Sequence, residues 1–311
     1  MTTSKKIRIG TRASALARWQ AEWVAAELKS RAGVEVELVP ISTAGDRQQQ
    51  GPIGSIGTQG VFTKEIQKAL LDDRVDVAVH SLKDLPTDQV EGLMLGAVPP
   101  RESPGDALVC REKQTLDDLP VGAVVGTGSP RRRAQLLNLR PDLSVKDVRG
   151  NVDTRLRKLD DGEYDALVLA KAGLVRLELD DRISYVLASE QFLSAIGQGA
   201  LGIEIREGDA ETLEAVAHLN DSATFAAVAA ERALLAHLRG GCLAPVAALA
   251  EPNDDGTLHL RAVVLSNDGS QRLDASQTAP TEDAVQLGRE VAEALLAQGA
   301  AKLIAAARDA G

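Results

Sequence analysis

Apolar positions along this chain follow two rhythms that take turns. Isoleucines alternate with polar residues in KIRIG, so Lys6–Gly10 is expected to be a short strand. Ser14 then precedes a stretch in which Leu16, Trp19, Trp23, Val24 and Leu28 recur near helical spacing. Ser14 is expected to be the N-cap of a helix from about Ala15 to Arg31, with those five side chains as its buried face. Alternation returns in VEVELVPI, a predicted strand over Val34–Ile41. Ser42–Gly60 breaks both rhythms with five glycines and three consecutive glutamines, which predicts a long loop.

Farther along, the same reading gives a helix at about Thr63–Leu71 and strands at Val75–His80 and Leu93–Val98. Strands follow at Ala107–Cys110 and Ala123–Thr127, then a helix opened by Ser129-Pro130. Asn151–Asp160 reads as a helix, Ala166–Ala170 as a strand, and Asp221 to about Leu238 as a helix ending at Gly240-Gly241. The remainder from Ala247 reads strand, turn, strand, helix, with a hairpin near Asn253–Gly256. Prolines at 99, 100 and 104 and the glycines of Gly197–Gly202 mark two places where the chain changes domain. Strands and helices in alternation predict α/β domains with helices on both sheet faces.

Composition narrows the function. With 311 residues, 44% hydrophobic and 26% charged, the chain has material for two or three globular domains. A net charge of −10 and only seven aromatic residues argue against a nucleic-acid partner, which needs a basic face or a stacking platform. No apolar run is long enough to span a bilayer. The polar start running straight into IRIG is not a signal peptide, so a cytoplasmic location with no membrane partner is expected. Two distant cysteines and four histidines lack metal-site spacing, so no metal is expected and the thiols read as free.

Four clusters could carry chemistry. HSLKDLPT places Ser81, Lys83 and Asp84 just beyond the carboxyl end of a predicted buried strand, where ligand sites of open α/β sheets gather. Taken alone, the motif reads first as a capped turn, with Asp84 and Ser81 bonding local backbone. In GTGSPRRRAQL, Ser129 and Pro130 start a helix whose free N–H groups attract anions. Arg131, Arg132 and Arg133 there oppose the helix dipole, so either an anion offsets them or they form a solvated basic turn. Arg140, Arg149, Arg155, Arg157 and Arg176 extend this positive stretch, and Arg12 with Ser14 adds another anion-friendly pair. RGGCLAP sets Cys242 on a glycine-rich loop, where a thiol is accessible or simply without a role. Cys110, inside apolar DALVC, reads as a core cysteine.

Together IGTRASALA, HSLKDLPT, GTGSPRR, RGNVDTRLRKL, LAKAGL, IGQGALGIE and AERALLAHLRGGC resemble, in order and spacing, the porphobilinogen deaminases, over Ile7 to about Ala300. The resemblance implies an α/β fold of three domains. Two resemble type II periplasmic-binding-protein lobes, residues 1–99 with 200–217 and residues 105–193. A small α/β C-terminal domain, 222–311, carries the cofactor cysteine. It implies a monomeric transferase of tetrapyrrole biosynthesis that joins four porphobilinogens with loss of ammonia into hydroxymethylbilane, on a dipyrromethane held by a thioether to Cys242. Asp84 is then the catalytic carboxylate, stabilising the azafulvene-type cation left when ammonia departs. Ser81, Lys83, Asp84, Ser129, Arg131, Arg132 and Arg155 are implied for the cofactor. Arg12, Ser14, Phe62, Arg149, Arg155, Arg176 and Gln198 are implied for the substrate or growing chain. Ser55 and Gln59 stand where many relatives carry lysine, and Pro130 and Leu243 are less usual beside the key residues. The competing reading is a non-catalytic carboxylate-binding protein of periplasmic-binding type; it accounts for two arginine-rich lobes but not for a third domain or the Gly-Gly-Cys loop.

Overall fold

The computed structural model describes residues 6–42, 63–240 and 244–309. The chain divides into two compact units, Met1–Glu102 with Ala200–Phe225, and Ser103–Gly199 with Ala226–Gly311.

In the first unit, β1 (Ile7–Thr11) buries Ile7 and Ile9 and lies parallel to β2 (Val36–Pro40) and β3 (Val77–Ser81). Strand β10 (Leu201–Arg206) runs antiparallel to β3 on one side and to β4 (Leu93–Ala97) on the other, giving the order β2-β1-β3-β10-β4. Helix α1 (Ala15–Ala32) starts where the Ser14 hydroxyl accepts the Ala17 N–H at 3.4 Å and stops at Gly33, whose φ of 66° reverses the chain. Val24 and Leu28 are buried as expected, whereas Leu16, Trp19 and Trp23 are half-buried, and Gln20 and Ala21 face the core instead. With α6 (Ala210–Ala217), α1 covers one sheet face; α2 (Lys64–Leu71) covers the other through Ile66, Ala69 and Leu70.

In the second unit, β6 (Val124–Gly126) lies parallel to β7 (Ser144–Lys146) and β8 (Ala166–Ala170). Strand β5 (Asp106–Cys110) is antiparallel to β8 and to the short β9 (Tyr185–Val186), giving β7-β6-β8-β5-β9. This is the plan of the first sheet: three parallel strands, one antiparallel strand, one edge strand. Helix α3 (Pro130–Leu139) covers one face; α4 (Val152–Asp160) and α5 (Lys171–Arg176) cover the other.

The same unit contains an antiparallel sheet of β11 (Val246–Pro252), β12 (Thr257–Leu265) and β13 (Arg272–Pro280). Helices α7 (Ser222–Leu238), α8 (Ala284–Ala297) and α9 (Ala300–Asp309) pack on one of its faces. Its other face meets Ala134 of α3 and Leu193. The expected strand, turn, strand, helix is therefore three strands and two helices after α7. Polar RLDASQTAP forms an edge strand that an apolar rhythm does not announce, and Gln298-Gly299 (φ 104° at the glycine) divides what reads as one helix into two. The glycine-rich segment Gly197–Gly202 is also shorter than expected, because Leu201 and Gly202 already belong to β10.

Candidate functional site

Parallel strands deliver their following loops to one edge of a sheet, and the residues singled out from the sequence sit at those edges. In the first unit, β1 ends at Thr11, followed by Arg12 and Ser14, both half-buried. Strand β3 ends at Ser81 and passes into a 3₁₀ turn, Leu82–Asp84. Leu82 is buried and anchors the turn, leaving Lys83 and Asp84 exposed beside it. Because β1 and β3 are parallel, these two groups share the carboxyl edge.

Ser81 does not cap the turn. Its hydroxyl accepts a hydrogen bond from Gln20 Nε2 at 2.9 Å, and Gln20 is buried on α1. On the opposite face, His80 Nε2 lies 2.9 Å from Glu204 Oε2, while Gln67 Nε2 donates to Glu204 Oε1 at 2.9 Å. All three are buried, so β3 is fastened by polar contacts on both faces just before it delivers Asp84. The sequence reading missed Gln20, Gln67 and Glu204. The signal for Gln20 was present: it lies four residues before Val24, on the core-facing stripe of α1.

In the second unit, β6, β7 and β8 deliver the arginines. After β6, the Ser129 hydroxyl accepts the Arg132 N–H at 3.5 Å and Pro130 occupies the first helical turn. The chain passes close by Val148 here; a Cβ on Gly128 would stand 3.0 Å from the Val148 carbonyl oxygen. After β7 come Arg149 and Gly150 (φ 108°), and Asn151 caps α4 by accepting the Thr154 N–H at 2.9 Å. Arg155 Nε donates to the Gly150 carbonyl at 2.8 Å. After β8, Arg176 at the end of α5 is buried and donates from Nη2 to the Gly199 carbonyl at 2.7 Å.

Arg131 and Arg132 are not the solvated turn that local reading allowed. They are only 5% and 6% exposed, and the anion offsetting them belongs to the chain itself. Asp106, fully buried, accepts Arg132 Nε at 2.9 Å and Nη2 at 2.7 Å, and lies 2.8 Å from Arg131 Nη1. Burial pushes the Asp106 carboxyl up, but the charges of Arg131 and Arg132 and a hydrogen bond from Gln198 outweigh it and hold the group well below the usual carboxylate range. Burial draws Arg131 down from its ordinary value, against the pull of Asp106.

Gln198 lies between Gly197 (φ 70°) and Gly199 (φ 87°) and is 1% exposed. Its Nε2 donates to Pro104 O at 2.7 Å and Asp106 Oδ1 at 2.9 Å, so it joins residues 104–106 to 197–199. The Gly197 N–H donates to Glu231 Oε2 at 2.7 Å, and Glu231 Oε1 accepts the Ala250 N–H at 3.0 Å. Cys110 is buried on β5, as expected, and burial pushes its thiol up. Cys242, Phe62 and Leu243, and the 43–60 stretch with Ser55 and Gln59, lie outside the described residues. Among the described residues, no group of three or more His, Cys, Asp or Glu could hold a metal, and no helix is long and apolar enough to cross a membrane.

Comparison with known proteins gives two family matches. Residues 7–214 match the family described as porphobilinogen deaminase, dipyrromethane cofactor binding domain, and residues 225–297 match the porphobilinogen deaminase C-terminal domain. A relative from Syntrophotalea carbinolica described as porphobilinogen deaminase is 49% identical over 305 residues, covering 98% of this chain and 96% of its own. Among solved structures, a methionine-binding protein is 16% identical with a TM-score of 0.45, covering 71% of this chain and 92% of its own. A periplasmic substrate-binding protein of an ABC transporter from Coxiella burnetii is 16% identical with a TM-score of 0.44, covering 73% and 96%.

Proposed function

The chain belongs to the porphobilinogen deaminase family, and from that premise we propose how its residues divide the work. The protein is a transferase that condenses porphobilinogen stepwise, head to tail, with loss of ammonia, giving hydroxymethylbilane, and its cofactor is a dipyrromethane. The observation that carries the assignment of residues is the set of cations at the carboxyl ends of the parallel strands in the two five-stranded sheets. Each pyrrole brings an acetate and a propionate, so a growing chain accumulates negative charge with every ring. An otherwise acidic protein needs fixed arginines to hold it.

In this reading Cys242 forms the thioether to the dipyrromethane. Ser81, Lys83, Ser129, Arg131, Arg132 and Arg155 hold its carboxylates. The donor set fits the group: hydroxyls, an ammonium and guanidiniums, with Arg131 Nε a buried donor that has no acceptor among the described residues. When bound, the dipyrromethane supplies the free pyrrole carbon from which the chain grows. Asp84, exposed at the end of its turn, accepts hydrogen bonds from pyrrole N–H and stabilises the positive charge that develops as ammonia leaves. Arg12, Ser14, Arg149, Arg155 and Arg176 hold the incoming substrate or the lengthening chain, with Phe62 against a pyrrole ring. Gln198, which the resemblance implies for the substrate, is buried and serves the cofactor-holding arginines from behind, through Asp106 and Arg132.

Three domains, 1–99 with 200–217, 105–193 and 222–311, match this division; the separate antiparallel sheet with its own helices supports setting the last apart. The protein acts as a cytoplasmic monomer without nucleic acid or membrane. Intact-mass measurement of the wild type beside Cys242→Ser tests the central assignment. The wild type is expected to be heavier than its sequence by two porphobilinogens less two ammonias, and the variant is not. An equal added mass in both proteins excludes Cys242 as the attachment point.

A further inference from the structure

Strand β5 begins at Asp106, and because it runs antiparallel to β8 its first residue pairs with Ala170, the last residue of β8. A carboxylate is thereby set, fully buried, at the edge where β6 and β8 deliver their loops. Its Oδ1 takes Arg132 Nε, Arg132 Nη2 and Gln198 Nε2, all within 2.9 Å. Its Oδ2 lies 2.8 Å from Arg131 Nη1, yet among the described residues it forms no aligned hydrogen bond, and Arg131 Nε has no acceptor there. Backbone carbonyls complete the frame: Leu193 O takes Arg131 Nη1, and Val168 O takes Arg132 Nη1 at 3.0 Å.

One carboxylate therefore serves two buried guanidiniums, and the cluster keeps a net positive charge with an unmet donor. Ion clusters that serve only the fold are better balanced, because an uncompensated buried charge is costly. We propose that Asp106 is a positioning residue: it fixes the planes of Arg131 and Arg132 and leaves one unit of positive charge for a carboxylate of the cofactor. This rests on the assignment of those two arginines to the cofactor. Asp106 touches neither cofactor nor substrate, and acts through its arginines as carboxylates behind metal-bound histidines act through theirs.

The experiment follows cofactor loading by intact mass after porphobilinogen is added to apoprotein from cells starved of it, with folding checked by near-ultraviolet circular dichroism. Asp106→Asn is expected to load about ten-fold or more slowly than the wild type, the usual cost of losing an orienting partner. Once loaded, it is expected to show a lower kcat per loaded molecule with little change in KM, since the incoming substrate is held by other arginines. A residue with only a folding role lowers the amount of loaded protein but not its kcat. Arg132→Gln and the double variant complete a cycle: if Asp106 acts through Arg132, the double loads no more slowly than Arg132→Gln alone. Should Asp106→Asn not fold, Asp106→Glu carries the test, keeping the charge while displacing the guanidiniums; slow loading supports the proposal.

Wild-type loading and kcat in the folded Asp106 variants, with Arg132→Gln slow, overturn this proposal alone. Wild-type loading by Arg132→Gln overturns the cofactor assignment of that arginine and this proposal with it.

Discussion

Asp76 and Asp106 are two buried aspartates with the same chemistry at different places. Asp76, two residues before β3 reaches Ala78, accepts Arg8 N–H, Nε and Nη2 and Arg206 Nη2, all within 2.9 Å. Burial pushes its carboxyl up, and the Arg8 and Arg206 bonds outweigh this and hold it well below the usual range. Both oxygens are met, and none of their partners is among the residues assigned to the site. Removing this acceptor by Asp76→Asn is expected to cost about 1–3 kcal/mol, since the partly exposed Arg8 and Arg206 can turn to water, read from urea unfolding, with turnover per folded molecule unchanged. Because its folded pKa lies below the unfolded value of about 3.9, the stabilisation is complete above that pH and is lost as pH falls beneath it. The wild type should therefore lose stability below about pH 4 more steeply than Asp76→Asn; parallel curves would place the acid sensitivity elsewhere. Asp84 presents the opposite case, an exposed carboxylate in a turn anchored by Leu82. Asp84→Asn should keep the melting temperature within a degree or two and lower turnover by about 10² to 10⁴, the usual share of a positioned acid–base group. Near-normal turnover would remove Asp84 from the chemistry.

At the scale of elements, what could be read in advance was local. Strands β1 and β3, helices α1 and α4, and the caps Ser14 and Ser129 follow from period and from side chains bonding backbone three residues away; Asn151, read as the first helical residue, is instead the cap of α4. Elements whose partner is remote in sequence were hidden. The LGIEIR stretch forms β10 only because β3 and β4 stand ready on either side, more than a hundred residues earlier. Likewise, the burial of Arg131 and Arg132 depends on Asp106, which in sequence is only the charged start of an apolar strand. Helix contacts add a constraint of their own. Gly288 on α8 lies so close to α7 that a Cβ there would stand 2.2 Å from the Ala230 carbonyl oxygen. The obstacle is backbone, which no rotamer can clear, so Gly288→Ala should separate the two helices and destabilise the fold by about 1–3 kcal/mol. Helix α7 ends at Leu238, four positions before Cys242 in sequence, and thermal melting with intact mass on the same sample reports whether the proposed attachment suffers too. An unchanged melting temperature would show that the helices part freely.

For the whole molecule, the carboxyl edges concentrate positive charge in a chain whose net charge is −10. In the proposed assignment, the fixed arginines draw polyanionic pyrroles against that acidic background. The order of strands in the first sheet also sets a timetable. Among the described residues, strand β4 has no hydrogen-bonded neighbour except β10, and about a hundred residues, among them every strand of the second five-stranded sheet, separate the two in sequence. On a ribosome adding about 5–20 residues per second, β4 waits roughly 5–20 s for its partner. The sheet that begins first is thus completed after the strands of the second five-stranded sheet have all emerged, and until then β3 presents an open edge to other chains. In pulsed hydrogen exchange during refolding, β4 amides should gain protection together with β10, not with β1 to β3.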